Sequence, residues 1–120
     1  MNYQIVIQGN QTYIECLPGE GHLAGEREAM ELIEACIGCQ TARILLTAAN
    51  LGDDFYNLKS GVAGAVLQKL ALYRMRVAAI LTAPLVGEGR FAEMVSEANH
   101  GSLFRVFYDR ERAEKWLLQG

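Results

Sequence analysis

The sequence predicts an α/β fold: a single domain with a mixed, largely parallel sheet, built in the order β-β-α-β-α-β-α-β-α. Three observations carry that expectation. The chain opens with two period-two segments around a glycine-containing turn, the pattern of a β-hairpin. Two later runs, RILLTAA (Arg43 to Ala49) and VAAILT (Val77 to Thr82), are continuously apolar, as strands covered on both faces are. Segments with apolar residues at helical spacing separate these strands, and such alternation implies parallel pairing through crossovers.

The elements follow in order. YQIVIQ (Tyr3 to Gln8) and TYIECL (Thr12 to Leu17) are the hairpin strands, with Gly9 and Asn10 as turn residues. Residues 18–22 are a loop. From about Ala24 to Cys39, Ala29, Leu32, Ile33, Cys36 and Ile37 form a helical stripe, with Gly38 near its end. The strand Arg43 to Ala49 leads into a loop, NLGDDFYNLK. A second helix runs from about Ser60 to Tyr73 on a core stripe of Ala63, Val66, Leu67, Leu70 and Ala71. The strand Val77 to Thr82 precedes a loop, Ala83 to Gly89, broken by proline and two glycines. A helix from about Arg90 to Asn99 buries Phe91, Met94, Val95 and Ala98, and Gly101 fits its stop. LFRVFY (Leu103 to Tyr108) is the last strand. Asp109 caps a final helix ending near Leu118, with Trp116 and Leu117 as anchors.

Composition bounds the function classes. A chain of 120 residues with 51% hydrophobic and 21% charged residues is that of an ordinary globular protein. At this size it buries roughly two-thirds of its unfolded surface and needs no covalent staple. A net charge of −3 without a basic run argues against binding nucleic acid or anionic membranes. The start MNYQIVIQGN lacks a basic, apolar signal pattern, and no apolar segment approaches the ~20 residues of a membrane helix. Three cysteines, an odd count, read as reduced thiols in a cytoplasmic protein.

The stretch DDFYNLKSGVAGAVLQK (Asp53 to Lys69) is where chemistry is expected. It follows a buried strand, so it lies at the carboxyl edge of the sheet, where open α/β sheets bind ligands. Ser60 at a helix start caps free amides, and the same amides suit an anion. Gly61 and Gly64 allow close approach to the backbone, although the spacing matches neither a phosphate loop nor a dinucleotide fingerprint. Asp53 and Asp54 solvate the loop, or serve as acid and base. Phe55 and Tyr56 pack it down, and an exposed Tyr56 would suit a ligand or partner. Cys36 and Cys39, with Cys16 and His22, have zinc-like spacing, but both helical cysteines lie on a helix rather than a knuckle turn. A redox role at that helix C-terminal end is disfavoured by the dipole. His100 beside Glu97 is explained by a helix end, and no Ser-His-Asp or Cys-His arrangement is present. Val62, Ala65, Leu72 and Tyr73 make the second helix apolar away from its core stripe, which suggests a homodimer contact through residues 61–73 edged by Lys69, Arg74 and Arg76.

Two resemblances follow from these residues. Asp54-Phe55-Tyr56-Asn57-Leu58-Lys59-Ser60-Gly61-Val62-Ala63-Gly64, continued by Leu67-Gln68-Lys69, resembles the signature of a bacterial family known as domain of unknown function 4180 (DUF4180). Glu97-Ala98-Asn99-His100-Gly101 is similar to a second segment of that family, and the tail from Ala113 to Leu117 fits as well. The likeness covers nearly the whole chain and implies no activity, since the family's name records none. Ala65 and Thr82-Ala83 stand where members often have carboxylates. The element order more distantly resembles the STAS domains of sulfate transporters and anti-sigma factor antagonists. Their phosphorylatable Asp-Ser-Ser-Gly falls on Leu58, Lys59, Ser60 and Gly61, so that only the second serine remains and the switch it carries is not expected here.

The resulting expectation is a STAS-like, cytoplasmic, non-catalytic binding or regulatory module. It takes a protein partner or a small anionic ligand through Asp54, Tyr56, Asn57, Ser60, Gly61 and Gly64, with no cofactor or metal. The alternative is a small enzyme, a hydrolase, using Asp54 with Ser60 or His100.

Overall fold

Strand β1 (Tyr3–Gln8) pairs antiparallel with β2 (Gln11–Cys16) through a two-residue turn. Gly9 takes φ 61° at the first turn position and Asn10 has no positive φ, the arrangement of a type II′ turn. Gln11 thus belongs to the strand rather than to the turn. From β2 onward the pairing is parallel, through β3 (Arg43–Thr47), β4 (Arg76–Ile80) and β5 (Phe104–Phe107), and the spatial order is β1-β2-β3-β4-β5. The computed structural model describes residues 1–19 and 21–119. Glu20, in the expected 18–22 loop, lies outside them.

Sequential strand order has a consequence for the layers. Crossovers between parallel strands are right-handed, and crossovers that all step in one direction lie on one face. Helices α1 (Glu26–Gly38), α3 (Val62–Leu72) and α5 (Arg90–Ala98) therefore share a face, together with α2 (Asp53–Tyr56) and α4 (Ala83–Val86). Ile14, Ile44, Leu46, Val77, Ala79, Phe104 and Val106 point to that side and form the main core with Leu32, Val66 and Phe91. The alternate residues Tyr13, Leu45 and Ala78 face the other way, where α6 (Arg110–Leu117) covers them with Ala113, Trp116 and Leu117. The expected order of major elements is the observed one, in a mixed and largely parallel sheet.

The carboxyl edge differs from its expectation. Ligand crevices in open α/β sheets form where the strand order reverses, and this order does not reverse among the parallel strands. Any cleft at that edge must come from the connections. These are more structured than the expected loops: residues 48–60 contain α2 and 3₁₀ turns at Ala48–Asn50 and Leu58–Ser60, and residues 83–89 contain α4 with Pro84 in its first turn.

Arg76 corrects another expectation. Instead of edging the α3 surface it opens β4, and its guanidinium donates to Trp116 O at 2.7 and 3.2 Å and to Ser102 O at 2.9 Å. The same group lies 3.8 Å from the Trp116 ring centroid. Arg43 Nε donates to Leu117 O at 3.1 Å, so two cations from the sheet meet the negative end of α6. Burial and the neighbouring Arg105 and Arg43 lower the Arg76 pKa from its ordinary value.

Candidate functional site

Asn50 sets the geometry of the carboxyl edge. It is buried, and its Oδ1 accepts from Thr47 N at 2.8 Å and from Thr47 Oγ1 at 3.2 Å, while Nδ2 donates to Leu17 O at 3.1 Å. Its own carbonyl accepts from Leu23 N at 3.0 Å. One amide thus ties the end of β3 to the segment leaving β2. The chain then enters α2, which Phe55 anchors by packing its ring edge-on against Tyr56 and Phe91.

Ser60 does not occupy the N-cap of α3. That position belongs to Gly61, whose φ of 80° lies in the left-handed region. Ser60 instead closes a 3₁₀ turn, accepts from Val62 N at 3.2 Å and donates to Asp54 O at 2.5 Å. The hydroxyl therefore still serves the first helical amide, one residue further back than expected, and pins α2 to α3. Asn57 caps the 3₁₀ turn by accepting from Lys59 N at 3.2 Å. Gly64 is exposed, and a Cβ there would meet nothing within 4 Å, so tight packing inside the chain does not require glycine.

The six residues expected at the site do not line one cleft, and α2 contributes to two. On one side, a cleft of about 480 Å³ is lined by His22, Leu23, Gly52, Asp53, Asp54 and Val62. On the other, a cleft of about 530 Å³ lies between Tyr56–Lys59 and Leu85–Phe91. Asp54 belongs to the first, Tyr56 and Asn57 to the second, and Ser60, Gly61 and Gly64 line neither.

Tyr56, which lines the second cleft, carries a polar group left over. The Tyr56 hydroxyl is buried with no hydrogen-bond partner among the described residues, while its ring packs edge-on against Phe91 with centroids 5.1 Å apart. Burial, with a smaller effect of the Asp53 carboxylate, raises its pKa above the ordinary phenol value. Lys59 and Arg90 line the same cleft, and neither side chain makes an ion pair or hydrogen bond among the described residues. Arg90 opens the nine-residue α5, whose N-cap Gly89 supplies no side-chain cap. The first amides of that helix face the carboxyl edge with no hydrogen-bond partner among the described residues. Arg90 lies far from Tyr56 and Lys59 in sequence, and only the unspecific signal of a glycine-rich turn before a helix marked its end of the cleft.

The pairs expected of a hydrolase do not assemble. Ser60 donates to the main-chain carbonyl of Asp54, not to its carboxylate. His100 lies beyond the C-terminal end of α5, held by Ser96 O at 2.8 Å, beside Gly101 and the start of β5 at the opposite edge of the sheet. The cysteine reading fares the same: Cys16 and Cys36 are buried in the core, burial pushes both thiols up to about 12, and no group of three metal-binding side chains occurs among the described residues.

An apolar cleft of about 340 Å³ at the amino edge, between the ends of α3 and α5, is lined by Leu67, Leu70, Met75, Val77, Leu103 and Phe104. It shares no lining residue with the two clefts at the carboxyl edge. On α3, Ala63, Val66 and Leu70 face the core, and Leu72 and Tyr73 are exposed.

Fold and clefts together define a small mixed-sheet α/β domain with polar recesses built by connections rather than by strand order. Residues 8–117 match the profile of the domain of unknown function DUF4180, and the chain belongs to that family. No curated protein and no solved structure matches it, so nothing supports the STAS likeness beyond the element order. Among the described residues, no helix is long and apolar enough to cross a membrane.

Proposed function

We propose that this protein is a non-catalytic, cytoplasmic binding or regulatory module that takes a small anionic ligand in the cleft between Tyr56–Lys59 and the start of α5. The observation that carries the reading is the buried Tyr56 hydroxyl without a partner. A donor left unsatisfied costs roughly 1–3 kcal/mol; Tyr56 lines the cleft with its hydroxyl covered, and a ligand that reaches this hydroxyl and accepts from it recovers that cost. Lys59, Arg90 and the first amides of α5 supply the complementary charge. Glu93, one turn further along α5, limits how much negative charge the cleft tolerates. Asp54, Ser60, Gly61 and Gly64 lie outside this contact set; the Ser60 hydroxyl, through the Asp54 carbonyl and Val62 N, holds α2 to the start of α3.

Isothermal titration with inorganic phosphate and with sulfate tests the reading. Arg90→Gln is expected to weaken binding on the order of tenfold, the effect of losing one charge-assisted hydrogen bond. Tyr56→Phe is expected to weaken binding while leaving the ligand-free protein as stable or more stable, because it removes an unsatisfied group. Undetectable heat for both anions, or a Tyr56→Phe variant that binds normally, contradicts the assignment.

A further inference from the structure

The two edges of the sheet, β1 and β5, are finished differently. At β5 the Asn99 side chain stands in for a neighbouring strand: Oδ1 accepts from Val106 N at 2.8 Å and Nδ2 donates to Val106 O at 3.4 Å. No side chain among the described residues bonds to the backbone of β1, which also has no charge, no proline and no bulge in its register. These are the usual devices that keep an edge from pairing. Its side chains are as open as its backbone, with Tyr3 42%, Ile5 53% and Ile7 70% exposed.

The backbone direction of β1 follows from its turn. A two-residue turn closes on a hydrogen-bonded pair, here Gln8 with Gln11. Alternation then directs the N–H and C=O of Gln8, Val6 and Gln4 toward β2. The next even residue agrees, since Asn2 O accepts from Leu17 N at 2.9 Å. The groups of Ile5 and Ile7 consequently point away from the sheet.

The segment Gln4-Ile5-Val6-Ile7-Gln8 reads identically in both directions. A two-fold axis at Val6 sets it antiparallel to itself with like facing like. Ile5 then lies opposite the partner's Ile7, and Ile7 opposite the partner's Ile5. These are the residues whose backbone groups are free, and each such pair exchanges two N–H···O bonds. The four isoleucines meet on the face that carries α1, and nothing charged is brought together. Closure by a two-fold axis uses up both free edges and leaves none for further growth.

We infer that the protein forms a two-fold dimer by antiparallel pairing of β1 with β1 of a second copy, in the register centred on Val6. The sheet then runs without interruption from one β5 to the other, each end finished by Asn99. This surface is separate from α3, where the sequence alone suggested a contact, and from the anion cleft.

A charge exchange within the register tests it. The full chain is compared by light scattering after size exclusion, at hundreds of micromolar, with two double variants. Ile5→Lys with Ile7→Lys places like charges opposite each other twice; Ile5→Lys with Ile7→Glu places opposite charges there, at the same loss of apolar surface. The wild type is expected to be a dimer, and the dissociation constant of the first variant should exceed that of the second on the order of tenfold or more. In the wild-type dimer the Ile5 and Ile7 amides should resist hydrogen exchange as the Val6 amide does, and lose that protection on dilution. A monomeric wild type overturns the proposal. So does equal behaviour of the two variants, or a dimer broken by Leu72→Glu on α3.

Discussion

Replacing Asn50 by alanine probes the bracket that positions the carboxyl edge. The substitution removes three side-chain hydrogen bonds and leaves Thr47 N–H and Leu17 C=O without their partners. Both residues are half-buried, so each orphaned backbone group costs about 1 kcal/mol, near the low end of the usual range. The freed Thr47 hydroxyl finds water, and the space left by the amide adds on the order of 1 kcal/mol. The expected total is about 3 kcal/mol. An unfolding entropy of ~2.1 cal/mol/K per residue gives about 0.25 kcal/mol/K for this chain, so the melting temperature should fall by about 12 °C. Urea titration should show a lower midpoint with an unchanged slope. Asn57→Ala is the control: its residue is exposed and serves a single amide, and its loss should stay near or below ~1 kcal/mol. A loss for Asn50→Ala no larger than that of Asn57→Ala would refute the bracket.

The glycines of the α3 start should behave oppositely. Gly61→Ala forces a side chain into φ 80° and should cost on the order of 1 kcal/mol, whereas Gly64→Ala fills open space on a helix and should gain up to ~1 kcal/mol in chemical denaturation. The thiols should differ in reactivity with a disulfide reagent. Cys39 is half-buried and should react in the native state, while Cys16 and Cys36, buried and with pKa values of about 12, should react only on unfolding. Fast native labelling of all three would contradict the packing of the core.

Much of this architecture is written locally. The hairpin is legible because alternation and a glycine at the turn act over neighbouring residues, and the two central strands because burial on both faces demands unbroken apolar runs. The short helices α2 and α4 were not legible, since four residues are too few to show a helical period. Nor did the sequence reveal the cap at Gly61, because a serine followed by glycine looks the same whether the helix starts at one residue or the next. Arg76 looked like a surface cation. Its burial against Trp116 depends on α6 folding back across the sheet, 40 residues later. The expected site was drawn along the chain, from Asp54 to Gly64. The structure brings Tyr56 and Lys59 against Arg90, and that juxtaposition depends on how α5 packs beside α2. In the sequence Asn99 stands only within a family-like segment, whereas in the structure it finishes the β5 edge.

Amide chemical shifts of the uniformly labelled protein, followed during titration with inorganic phosphate, test the central claim most directly. The account predicts saturable shifts at Tyr56 to Lys59 and at Gly89 to Ala92, with the rest of the chain little changed. Shifts confined to the Ser60–Gly64 start of α3, or to the His22–Asp54 cleft, would place the site on the wrong side of α2 and contradict it.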